Sequence, residues 1–253
     1  MLLNHKILGN GQPLVILHGL FGSLDNWLTH AKKLSKYYQV ILVDQRNHGH
    51  SDWSNDFNYN ILAQDLKELL DYLKLKKVLL LGHSMGGKTV IEFSQNYPEY
   101  IEKLIVVDIG LKQYPMHHQQ ILTGLNAIDL SIVQTRGEAE KIMKQYVESI
   151  GVRQFLLKNL YWKDKGQLAW RMNIPVLENQ MSNILAKLDD SPVYLPTLFI
   201  RGALSNYILE DDYEEIEDVF NDIRFETIEN AGHWVHAEAP EKFLETVLEF
   251  CLR

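Results

Sequence analysis

Leu79-Leu80-Leu81-Gly82-His83-Ser84-Met85-Gly86-Gly87-Lys88-Thr89 is the most informative segment of this 253-residue chain. It joins an apolar run to a G-x-S-x-G turn, and a helix is expected to follow at once. A serine on so sharp a strand-to-helix turn sits in strained backbone geometry, so the residues two before and two after it must be small. Gly82 and Gly86 meet that need. The turn lifts the Ser84 hydroxyl above the sheet edge, at a helix N-terminus whose amides favour developing negative charge. Residues 82–89 also satisfy G-x-x-x-x-G-K-T, a phosphate-cradling loop. Residues 104–107 followed by Asp108 even imitate the strand and aspartate that hold magnesium in nucleotide hydrolases. Other parts of the chain must choose between these readings.

Working outward, apolar runs occupy 14–17, 40–43, 78–81 and 104–107. They are rich in Val, Ile and Leu without polar alternation, as expected of strands buried on both faces of a parallel sheet. Between the second and third, Ile61, Leu62, Leu66, Leu69, Leu70 and Leu73 share one helical face, with Asp65, Lys67, Glu68 and Asp71 off it. The helix after Met85 should stop near Tyr97-Pro98, because the residue before proline disfavours helical backbone. This alternation predicts an α/β fold with a doubly wound, mostly parallel sheet. Residues 111–195 break the pattern, with no convincing strand and only helix-like pieces such as 138–150 and 154–160. Alternation resumes with a strand at 197–200, a helix around 211–220, a strand at 224–228 and a last helix at 240–252. The expected organisation is a core of 1–110 and 196–253 with a helical cap, 111–195, inserted between two of its strands.

The serine needs an oxyanion site and a base. Val15-Ile16-Leu17-His18-Gly19-Leu20-Phe21-Gly22-Ser23 is a strand ending in His-Gly, a turn placed to offer one backbone N–H. Leu20 is the expected donor, with Phe21 as the alternative; Met85, directly after the serine, is the other. Asn230-Ala231-Gly232-His233-Trp234-Val235-His236 follows the last predicted strand and offers His233 as base, with His236 as its competitor. A phosphate-binding loop explains neither segment, and on the serine reading Lys88 is an exposed helix residue.

The acid is less direct. Its commonest place, three residues beyond Gly202, holds Ser205. Asp211 and Asp212 lie further on, within an expected helix. Asp108 stands at the end of the strand after the serine strand, beside Ser84 if consecutive strands are neighbours. It is the expected acid, with Ser205 hydrogen-bonded in the same cluster. His18 and His83 read as structural, and Asp44 and Arg46 as loop ties.

Composition narrows the partners. With 25 Lys and Arg against 33 Asp and Glu the chain carries −8, which opposes a general nucleic-acid binder. No apolar run is long enough to cross a membrane, and the first residues do not read as a signal peptide. One cysteine, Cys251, allows no disulfide within the chain, so a cytoplasmic protein is expected. His117-His118 lack a partnering Cys/His cluster and read as a solvated cap helix; no metal, no cofactor and no obligatory protein partner is implied. Residues 111–195 hold ten Lys and Arg and eight Asp and Glu, so they carry +2 against −10 for the rest. A cationic rim suits an anionic acyl-CoA, although ordinary helix surface is the simpler reading.

Together these segments resemble the α/β-hydrolase superfamily over essentially the whole chain. The carriers are residues 18–27, Asp44-Gln45-Arg46-Asn47-His48-Gly49-His50-Ser51, residues 82–87 and residues 232–236. More narrowly the chain is similar to the YbfF-type esterases, through Gln154-Phe155-Leu156-Leu157-Lys158 and Asn173-Ile174-Pro175-Val176-Leu177 in the insertion as well. The resemblance implies the α/β-hydrolase fold and a cytoplasmic carboxylesterase for short acyl esters, with acyl-CoA thioesters as a further class. It implies a Ser-His-Asp triad of Ser84, His233 and Asp108, with a serine, here Ser205, at the usual acid position. A phosphate-loop nucleotide hydrolase and a non-catalytic small-ligand receptor on the same fold remain the alternatives.

Overall fold

A strand covered by helices on both faces has no water to meet, so its side chains must be apolar throughout. The computed structural model describes residues 1–252 and obeys that rule at its centre. The chain begins with β1 (His5–Leu8), β2 (Pro13–Leu17), α1 (Leu28–Leu34) and β3 (Gln39–Val43). Next come α2 (Tyr59–Tyr72), β4 (Val78–His83), α3 (Met85–Asn96) and β5 (Ile101–Val107). Then follow α4 (Gln119–Asn126), α5 (Arg136–Met143), α6 (Ile150–Leu157), β6 (Leu160–Asp164), β7 (Gln167–Trp170), α7 (Ile174–Asn179) and α8 (Met181–Ile184). The remainder is β8 (Thr197–Gly202), α9 (Tyr213–Val219), β9 (Ile223–Ile228), α10 (Val235–Glu238) and α11 (Pro240–Leu252).

The main sheet has the order β1-β3-β2-β4-β5-β8-β9 and is parallel except for β1. Every residue of β4 is buried. Val15, Leu17, Leu80 and Val106 face one hydrophobic layer, and Leu14, Ile16, Leu81 and Ile105 face the other. The register pairs Leu17 with Gly82, His83 with Val107 and Val107 with Ile200. The carboxyl ends of β2, β4, β5 and β8 therefore meet at one edge. There the Ser84 amide donates to the Val107 carbonyl at 3.0 Å, and the Asp108 amide to the Ile200 carbonyl at 2.8 Å.

Several sequence expectations change. The antiparallel edge strand β1 gave no signal, because His5-Lys6-Ile7-Leu8 has neither an apolar run nor alternation. Residues 111–195 do contain strands: β6 and β7 form an antiparallel hairpin. Its tip is Lys165-Gly166, with Gly166 at φ 78°, and its exposed Lys163 and Asp164 disguised the first strand. Asp65 lies off the apolar face in sequence yet is buried, since Arg46 donates to both its oxygens at 2.6 and 2.9 Å. A buried carboxylate is tolerable only when paired in this way. Lys88 is buried rather than exposed. Its ammonium donates to the Lys112 carbonyl at 2.8 Å and to that of Ala186, over the rings of Tyr114 and Tyr59. Burial pushes it down to about 7. The lysine a phosphate loop would need is thus turned into the protein.

Candidate active site

Ser84 adopts φ 54° and ψ −121°, a conformation that side chains other than glycine rarely take. Steric closure holds it there. A Cβ on Gly82 would lie 2.1 Å from the Gly86 carbonyl oxygen, and one on Gly86 2.6 Å from that of His18. Both contacts are with backbone, which cannot swing aside. The small residues inferred at these positions are therefore a packing requirement.

The imidazole of His233 spans the gap between two strand ends. Its Nε2 lies 3.0 Å from Ser84 Oγ and its Nδ1 2.8 Å from Asp108 Oδ2. An ionised carboxylate only accepts, so Nδ1 carries the proton and Nε2 faces the serine hydroxyl as acceptor. Asp108 is fully buried, with φ 51°. Its Oδ1 accepts from the Gly202 amide at 3.1 Å, and its Oδ2 also accepts from the Ser205 hydroxyl. The competitors fall elsewhere. His236 stacks on Trp27 at 4.3 Å, and burial lowers it to about 3. Asp212 is ion-paired with Lys112 at 2.5 Å. His83, held neutral by burial, donates from Nε2 to the His233 carbonyl at 2.9 Å.

On the opposite side, the amide of Phe21 is already used, donating to His48 Nε2 at 3.2 Å. His48 Nδ1 donates to the Arg46 carbonyl at 2.9 Å, and burial lowers this ring to about 3. Among the described residues the amide of Leu20 has no acceptor. Met85 opens α3, so its amide is an unpaired helix-terminal donor. Of the two amides considered for this loop, only that of Phe21 is already taken. His18 and Gln45 brace it from below, the Gln45 amide donating to His18 Nε2 at 3.1 Å. Asn159, just before β6, donates to the Phe21 carbonyl at 2.8 Å.

Between the two sides lies a cavity of about 550 Å³, reached by Ser84, Leu20, Ile121, Phe155, His233 and Trp234. His117 and His118 line it too; they lie in the segment before α4 rather than on a helix, His117 exposed as expected and His118 half-buried. Burial lowers His118 to about 3, and its Nδ1 has no partner among the described residues. Sequence reading missed Asn159 and Tyr207, and gave His48 no role although it stands in the quoted Asp44–Ser51 stretch. Asn159 and Tyr207 belong to no spaced motif, whereas Asn47-His48-Gly49, with two positive-φ residues flanking the histidine, marks a shaped loop.

Comparison with known proteins agrees with this architecture. A family model described as alpha/beta hydrolase fold matches residues 12–139. The chain is 39% identical over 243 residues to Esterase YbfF of Escherichia coli, covering 95% of this chain and 93% of that one. It is 37% identical over 242 residues to a putative esterase/lipase of Haemophilus influenzae, covering 95% and 83%. It is also 37% identical to an sn-1-specific diacylglycerol lipase of Mus musculus, covering 94% and 80%. Among solved structures, a marine microorganism esterase superposes with a TM-score of 0.96 at 41% identity, covering 98% and 99%.

Proposed function

This chain belongs to the α/β-hydrolase family as an ester-hydrolysing member of the YbfF type, and we propose that it is a serine carboxylesterase for short acyl esters. The carrying observation is the placement of His233 between Ser84 Oγ and Asp108 Oδ2. In this reading His233 takes the Ser84 proton as Oγ attacks the ester carbonyl, and the tetrahedral oxyanion forms at the amides of Leu20 and Met85. Each such donor supplies roughly 3 kcal/mol to the transition state. The imidazolium, stabilised by Asp108, gives its proton to the leaving alcohol. Water then attacks the acyl-enzyme with His233 again as base, and the acid leaves.

Residues 111–195 act as the cap that walls the cavity, through Ile121, Phe155 and Leu156. A reducing compartment such as the cytoplasm suits a chain whose one cysteine forms no disulfide. Acyl-CoA thioesters are a second substrate class, favoured by Lys158 at the cavity wall of this +2 segment. The test is a panel of p-nitrophenyl esters of graded chain length beside acyl-CoAs, at low and high salt, with Ser84→Ala as control. Multiple turnovers on short esters, abolished in Ser84→Ala, are expected. A single burst or none would make the protein a small-ligand receptor. A kcat/KM that falls steeply with salt for the CoA substrates alone supports the thioester class, and an equal response removes it.

A further inference from the structure

Tyr207 is placed against the base in a way that the catalytic scheme above does not use. Its ring stacks on the imidazole of His233 with centroids 3.7 Å apart and planes 14° from parallel. An exposed loop tyrosine would lose such a pose to rotamer freedom, but this one is tied at every polar group. Its amide donates to Ser205 Oγ at 3.2 Å, the same hydroxyl that donates to Asp108. Its carbonyl accepts from the Tyr114 hydroxyl at 2.8 Å. Its own hydroxyl lies 2.5 Å from His117 Nε2. His117 Nδ1 donates to the Pro115 carbonyl at 2.7 Å, so Nε2 is the acceptor and the tyrosine O–H the donor. Tyr114 and His117 both lie at the start of residues 111–195, between β5 and α4.

We propose that Tyr207 is the positioning residue of His233, and that His117 locks it, so that the start of the inserted segment sets the orientation of the base. This rests on the reading of Ser84, His233 and Asp108 as the reacting groups. Asp108 fixes the imidazole at one point, Nδ1, which alone would leave the ring free to rock about that bond. A flat aromatic face restricts the rocking and keeps Nε2 aimed at Ser84 Oγ. The same face, rich in π density, lies against the ring that becomes cationic as the serine proton is transferred. The chain of contacts runs from His117 through Tyr207 to His233.

Steady-state kinetics on a small p-nitrophenyl ester test this, with melting temperatures as the folding control. Tyr207→Leu should lower kcat at least tenfold with KM within about twofold. Tyr207→Phe keeps the stack and should restore kcat to within about fivefold of the parent. His117→Ala should match Tyr207→Phe, and the double variant should be no slower than either single, because both remove one bond. Wild-type kcat in a folded Tyr207→Leu would overturn the positioning role, and multiplicative losses in the double variant would overturn the lock. Stoichiometric fluorophosphonate labelling of Ser84 in the parent enzyme separates these failures from failure of the catalytic reading itself.

Discussion

The turn that carries Ser84 and the loop that carries His233 solve the same problem in opposite ways. The serine is held by backbone: Gly82 and Gly86 leave no room for a Cβ, and the chain between two packed elements has one way through. The histidine is held by side chains from distant segments: Asp108 after β5, His83 before Ser84, and Tyr207 after β8. A backbone-built feature fails wholly when a single atom is added. A side-chain-built feature loses function in steps, each step belonging to one partner.

That contrast predicts different failures on the two sides. Gly86→Ala should lose both activity and melting temperature, since its Cβ meets the backbone of Leu17 and His18 at 2.6–2.7 Å. Asp108→Asn should lower kcat by roughly 10³–10⁴-fold, by allowing the wrong imidazole tautomer, while its melting temperature stays well above that of Gly86→Ala. Asp212→Asn should retain most activity, because Asp212 serves Lys112. Kinetics and thermal melts of the three variants check the set. Collapse of Asp212→Asn with survival of Asp108→Asn would reverse the assignment of the acid.

The same distinction separates what the sequence discloses from what it hides. Strands β2 to β5 and the Ser84 turn are legible because burial on both faces and steric closure each demand particular residue types at fixed spacing. Asp108 is legible by one further step, the adjacency of β4 and β5. His48, Asn159 and Tyr207 are not, because their partners lie at separations of 27, 138 and, for His117 with Tyr207, 90 residues. The hairpin of β6 and β7 is hidden for a different reason: a two-stranded surface element with Lys163 and Asp164 on it buries too little to enforce a pattern.

A smaller effect sharpens the comparison. The side-chain-built surroundings contain buried histidines lowered from 6.5 to about 4 for His18 and about 3 for His48 and His236. Burial disfavours their charged form, so between those values and 6.5 only the unfolded chain takes up protons. Stability is therefore full above pH 6.5 and declines as the pH falls, by up to roughly 1.4 kcal/mol per pH unit for each group. Melting temperatures between pH 8 and 4 should be flat at the alkaline end and drop below pH 6.5. His236→Phe, which keeps an aromatic ring on Trp27, should make that drop shallower; an unchanged acid slope would remove His236 from the account.

Catalysis by this site requires that Ser84 become covalently acylated with His233 as its base. Intact-mass spectrometry after treatment with a fluorophosphonate measures this most directly. One adduct per chain, mapped to Ser84 and absent in Ser84→Ala, is the predicted result. An unmodified chain, or the same adduct persisting in Ser84→Ala, would contradict it.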